Sequence, residues 1–314
     1  MQIKMHKKEG LEMSFAWIFA ILAGSVIIFL AVYATTNLIS STRYETNTKT
    51  AAQLDILFNP IETSLESGKF VEIEFVDETR VYNYCNEEGI FGRQEVRTST
   101  RSGIGREWES PGAPIASKDK YILSERVIES ETIRAFSKPI NLPYKVADSI
   151  IIYSSEYCFI RPTSSIEDEV KRIGLPGITI NSSVRYCPRE SIKVCFFGTE
   201  SECDINVYEG SVNKDGKVMH YIDDVTLFGA IFSDPEIYEC QIKRVMQRNA
   251  ELAELYASKS DFLTLKGCSS NLGANLRSFS LALGEFDNSI KIKTISVLAE
   301  DIERKNEILN CKLF

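Results

Sequence analysis

The pattern of apolar and polar positions changes three times along the chain. Ser14 to Leu38, SFAWIFAILAGSVIIFLAVYATTNL, carries no charged residue over 25 positions. As a helix this run is about 38 Å long, enough to cross a bilayer with some tilt. Beyond it the apolar residues Ala51, Leu54, Leu57, Phe58, Ile61 and Leu65 recur at spacings of three and four, which predicts an amphipathic stalk helix within residues 39–66. Span and stalk read as one helix from about Ser14 to Phe58, ended or kinked by Pro60.

From residue 67 the period becomes two. Val71, Ile73 and Phe75 alternate with Glu72 and Glu74, as a half-buried strand requires. Further strands are predicted near residues 95–98, 121–123, 132–136, 149–153, 157–160, 177–180, 191–197, 205–208 and 218–222. Asn213-Lys214-Asp215-Gly216 supplies a turn between the last two. One short helix, Ser165 to Ile173, interrupts them with Ser165 as its cap. The polar segment Thr98 to Lys120, with Gly103, Gly105, Pro111, Gly112 and Pro114, predicts a long loop.

The third change comes at Ser233-Asp234-Pro235-Glu236, which reads as a capping box opening a helix that runs to Lys266. Leu272, Leu276, Phe279 and Leu283 mark a second helix, and Ile295, Leu298, Ala299, Ile302 and Leu309 a third. Three such faces are expected to pack as an antiparallel bundle. The predicted fold class is therefore α+β: tail 1–13, transmembrane helix 14–38, stalk 39–66, β-rich ectodomain 67–228 and C-terminal helical bundle 229–314.

Charge orients this plan. Lys4, Lys7 and Lys8 precede the span, with only Glu9 and Glu12 against them, so the N-terminal side is expected to stay in the cytoplasm. Val32-Tyr33-Ala34 offers a signal-peptidase site, but the apolar run before it exceeds the usual signal length, and a retained anchor is the expected form. The chain carries a net charge of −8, and the basic tail contributes none of that excess. An acidic body argues against nucleic acid as a partner.

All eight cysteines lie beyond the span. An even number confined to the exported part suits disulfides in an oxidising compartment. A hairpin bridge between Cys195 and Cys203 is the simplest pairing. Cys85, Cys158, Cys187, Cys240, Cys268 and Cys311 are left without assigned partners. Cys240, Cys268 and Cys311 all fall at predicted helix ends, so if every cysteine pairs, at least one must reach the β-rich part. The sequon Asn181-Ser182-Ser183 makes Asn181 a candidate for glycosylation.

The stretch Lys7-Lys8-Glu9-Gly10-Leu11-Glu12-Met13, followed at once by the apolar run, resembles the start of an archaeal type IV pilin-like precursor. The resemblance implies cleavage between Gly10 and Leu11, with the hydrophobic helix retained. Pilins commonly place Glu five residues after the cut, where this chain has Phe15. The body resembles archaeal membrane proteins of no assigned activity, which implies location and architecture only.

Motifs for chemistry are few. The histidines are His6 and His220. No H-E-x-x-H, G-x-S-x-G or P-loop pattern occurs, and Gly103-Ile104-Gly105 lacks the third glycine of a dinucleotide fingerprint. His220 reads as a strand residue, and Asp223-Asp224 as a solvated pair. No cofactor or metal is expected. The leading expectation is a membrane-anchored extracytoplasmic surface or structural protein, acting by contact and without enzymatic activity. Its partners would be the membrane and either copies of itself or other surface proteins. The alternatives are an anchored solute- or peptide-binding protein and an anchored hydrolase that uses carboxylates alone.

Overall fold

The structure, a computed structural model, describes residues 15–62, 70–101, 107–197, 202–268 and 270–314. Gly10, Leu11, the loop segment around Gly103–Gly105 and the turn Gly198–Glu200 lie outside them. The fold is α+β and opens on one continuous helix, α1 (Phe15–Glu62). Pro60 falls in its last turn. The described helix thus passes Phe58 and continues two residues beyond the proline, to Glu62.

A six-stranded sheet follows, in the order β3-β2-β1-β5-β6-β4. Its strands are β1 (Phe70–Asn86), β2 (Arg93–Thr100), β3 (Ile115–Ser117), β4 (Tyr121–Leu123), β5 (Val127–Asn141) and β6 (Lys145–Tyr153). All neighbours are antiparallel except β4, which runs parallel to β6. The strand β3 lies inside the segment expected to be loop. It is three residues long, too short to show a period.

This sheet is covered on both faces. Ile151 and Tyr153 of β6 face the larger core, while Ile150 and Ile152 face α1 through Leu54 and Phe58. A strand buried on both sides needs an unbroken apolar run, and Ile150-Ile151-Ile152-Tyr153 supplies it.

The second sheet has the order β12-β11-β10-β9-β7-β8. It contains β7 (Tyr157–Ile160), β8 (Ile178–Asn181), β9 (Ile192–Phe196), β10 (Ile205–Tyr208), β11 (Ser211–Lys214) and β12 (Lys217–His220). Helix α2 (Ser164–Ile173) carries the chain from β7 to the parallel β8. Its cap is Thr163 rather than Ser165, with Thr163 Oγ1 accepting from the amide of Ile166 at 3.4 Å. The β11–β12 turn narrows to Asp215-Gly216, both at positive φ, the geometry a two-residue hairpin demands.

A helix not expected from the sequence, α3 (Asp224–Phe232), wedges between the sheets. Phe232 lies 4.8 Å from the ring of Tyr153 on the first sheet and 4.7 Å from Tyr157 on the second. Almost every residue of α3 is apolar and buried, so it lacks the one-sided stripe by which a surface helix is recognised. Because Ser233 ends α3, it does not cap the next helix. Helix α4 (Pro235–Leu265) starts instead from Asp234.

Helices α5 (Gly273–Gly284) and α6 (Ile292–Glu307) complete the chain. The helices α3 to α6 share one apolar core with both sheets, reaching from Tyr121 to Leu313.

Candidate functional site

The feature that distinguishes this molecule is the way α1 divides. Its N-terminal part is long and apolar enough to cross a membrane and is not buried against the body. Its C-terminal part is seated on the first sheet, with Asn47, Ala51, Leu54 and Phe58 fully or almost fully buried. Asn47 fixes the register: its Nδ2 donates to the carbonyl of Ser110 at 3.1 Å, and its own carbonyl accepts from Thr98 Oγ1 at 2.7 Å. Two turns on, Lys120 Nζ meets Asp55 Oδ1 at 2.7 Å, the lysine side chain only 5% exposed. At the mouth of the seat Arg43 pairs with Glu109 at 3.1 Å.

Thr48 and Gly112 make the closest approach in this seat. The amide of Ala113 donates to Thr48 Oγ1 at 2.9 Å, and a Cβ on Gly112 would overlap the backbone nitrogen of Thr48. Neither partner is the end of a flexible side chain. Gly112→Val is therefore expected to loosen the seat by about 1–3 kcal/mol, read as a lowered denaturation midpoint and faster proteolysis after Arg43.

The cysteines are all paired. The bridges are Cys85–Cys240, Cys158–Cys187, Cys195–Cys203 and Cys268–Cys311. Cys85–Cys240 fastens α4 to β1. Cys158–Cys187 and Cys195–Cys203 form one cluster with Ile160 and Val184 on the second sheet. Cys268–Cys311 closes the end of α4 onto the segment after α6. The sequon residue Asn181 ends the edge strand β8, half-buried, with Nδ2 donating to Cys158 Sγ at 3.3 Å.

Beside Cys85–Cys240 lies a buried polar chain that the sequence did not single out. Asn83, Gln94 and Gln241 hydrogen-bond in series, and Asn83 Nδ2 also donates to Ser124 Oγ at 2.7 Å. The chain ends on Arg244, which is fully buried. Its guanidinium donates to Gln241 Oε1 at 2.8 Å and to the carbonyls of Lys120, Phe91 and Lys118 at 2.9, 3.0 and 3.1 Å. It also lies over the ring of Tyr121, 4.8 Å from the centroid. Burial lowers the guanidinium to about 10, so it keeps its proton at neutral pH. In the sequence, Gln241 and Arg244 fall between the apolar positions Tyr238, Ile242 and Val245 of α4, and no motif marks them.

A group of charged residues lines a cleft at the start of α4. A cavity of about 510 Å³ is lined by Glu125, Arg126, Asp215, Lys217, Asp234 and Glu236. Most of these carboxylates have structural duties. Asp234 Oδ2 accepts from the amide of Arg126 at 2.7 Å, and Glu236 pairs with Lys217 and Arg126. Lys214, buried beneath, donates to the carbonyls of Ser233 at 2.9 Å and Ile231 at 3.2 Å. Burial pushes Lys214 below the ordinary lysine range and raises Glu125.

The raised Glu125 has a testable consequence. Below its ordinary value of 4.5 the carboxyl is protonated in folded and unfolded chains alike and costs nothing. As pH rises from there toward the higher folded value, the unfolded chain ionises first, stability falls, and the loss then persists. Glu125→Gln is thus expected to be more stable than the parent at neutral pH and equal to it in acid, measured by guanidinium titration at both pH values.

His220 closes β12. Its amide donates to Ser289 Oγ at 2.9 Å, and its carbonyl accepts from Tyr238 Oη at 2.6 Å. Asp223 caps α3 reciprocally with Thr226, and Asp224 Oδ2 accepts from Ser165 Oγ at 3.4 Å. Among the described residues no group of three or more His, Cys, Asp or Glu side chains is placed to hold a metal ion. No family model, curated protein or solved structure matches this chain.

Proposed function

We propose that this chain is a membrane-tethered extracytoplasmic surface protein, pilin-like in plan, that works through protein contacts made by its body. The observation that supports this reading is the divided helix α1: a bare apolar half continuous with a half locked onto the sheet. A rigid continuation transmits position and torque from membrane to body, as a flexible linker does not. In this reading the N-terminus faces the cytoplasm, and α4 to α6 act as an antiparallel bundle presenting the far surface.

The test is the N-terminal peptide of the mature protein together with sedimentation of shed material. A start at Leu11 with sedimenting filaments supports assembly. A start at Met1 with material held only in membranes removes the assembly part and leaves a plain tether.

A second reading, an anchored solute- or peptide-binding protein, draws on a cavity of about 410 Å³ between β12 and the start of α4. Val218 and Ile290 stand exposed at its rim, and Met219 and Glu239 lie deeper. A thermal shift with a peptide library, abolished by Val218→Asp, would favour it.

A further inference from the structure

The chain has two tryptophans, Trp17 and Trp108. Trp17 stands on the first turns of α1, 68% exposed. Trp108 is far away in sequence but lies against the same helix. It helps line a crevice of about 380 Å³ together with Thr36, Ile39, Ser40, Arg43 and Tyr44. From Trp17 to the Thr36–Ile39 level, α1 rises about 30 Å, the thickness of a bilayer hydrocarbon core. The two indoles therefore bracket the apolar run, one at each end. The first charged residue after that run is Arg43, which meets the body at Glu109. Indoles concentrate at the level where hydrocarbon gives way to headgroups.

We propose that the face of the body around Trp108 docks into the headgroup layer of the membrane that α1 spans, a second membrane contact that sets the height and tilt of the body. The inference rests on the membrane reading of α1 and goes beyond it, because a span alone leaves the helix, and the body locked to it, free to tilt and shift in the bilayer.

The charges around Trp108 fit that setting. The guanidinium of Arg80 lies 4.1 Å from the ring centroid and that of Arg101 lies 5.6 Å away. Arg43 completes a set of three. Each is paired with a carboxylate: Arg43 with Glu109, Arg80 with Glu129 and Arg101 with Glu78. The face is thus polar, aromatic and locally balanced in charge. Such a face inserts among phospholipid headgroups without requiring an excess of anionic lipid. A surface that bound lipid by net charge would weaken steeply with salt.

Trp17→Phe leaves Trp108 as the sole indole, and Trp108→Phe leaves Trp17. The full chain carrying either substitution is placed in phosphatidylcholine nanodiscs containing lipids brominated near the headgroup or near the chain ends. Circular dichroism confirms that both variants are folded. Trp108 is expected to lose emission to the headgroup-proximal bromine, to be spared by the chain-end bromine, and to do so equally at low and high salt. Trp17 is the control for insertion. If Trp17 is quenched by brominated lipid while Trp108 responds only to aqueous iodide, the docking proposal is overturned and the tether stands. If Trp108 is quenched most by the chain-end bromine, headgroup docking is overturned as well. If neither indole responds to lipid, the membrane reading fails and docking fails with it.

Discussion

Arg244→Ala is expected to lower folding stability by about 3–5 kcal/mol, among the largest effects of any single substitution here. The guanidinium is fully buried and satisfies three backbone carbonyls, those of Phe91, Lys118 and Lys120, from one helix position. Alanine would leave those acceptors without donors in a dry site, and each unmet polar group costs about 1–3 kcal/mol. Gln241 would lose a donor at the same time, disturbing its link to Gln94 and Asn83. Arg244→Lys is expected to recover only part of the loss. An ammonium cannot span the separate acceptors with a planar fork, nor lie flat over Tyr121. Guanidinium titration of the detergent-solubilised protein reads both variants. Equal stability of Arg244→Ala and the parent would mean that the carbonyls find water, and that the polar chain does not hold α4.

The second large effect concerns the same contact. Replacing Cys85 and Cys240 together by serine opens a loop with a sequence separation of 155. In the chain-entropy description, closing a loop of that size restrains the unfolded chain by about 5 kcal/mol. The Cys195–Cys203 loop, with a separation of 8, is worth about 2.5 kcal/mol on the same basis. The double serine variant at Cys85 and Cys240 should therefore lose roughly twice as much as the variant at Cys195 and Cys203. It should also expose the start of α4 first in hydrogen exchange, since that end of the helix then loses its covalent tie to β1. The reverse order of losses would show that native contacts, not the long-range bridge, position α4.

Much of the architecture was legible from periodicity alone. The uncharged run from Ser14, the three-and-four spacing of Ala51, Leu54 and Phe58, and the alternation at Val71, Ile73 and Phe75 each answer to a face that is bare, half-buried or buried in the structure. Legibility failed where burial is not one-sided. Helix α3 is apolar all round, so it showed no stripe, and it turned out to be the wedge between the sheets. Nothing in the sequence marks Arg244 and Gln241, because their partners, Gln94 and the carbonyls of Lys118 and Lys120, are more than a hundred residues away. Trp108 was hidden for the same reason. It sits in a polar stretch that reads as loop, and only tertiary packing brings it to Ile39 and Arg43. Bridges between distant cysteines are likewise set by tertiary placement, which spacing does not encode.

The protein we propose has its body folded outside the cytoplasm and held to a membrane by an intact α1. The most direct measurement is intact mass of the protein recovered after carbonate extraction of native membranes, alkylated under denaturing conditions without reductant. The expected result is protein retained in the membrane pellet, with none of its eight cysteines alkylated. Protein released to the supernatant with all eight cysteines alkylated would contradict both the tether and the export of the body.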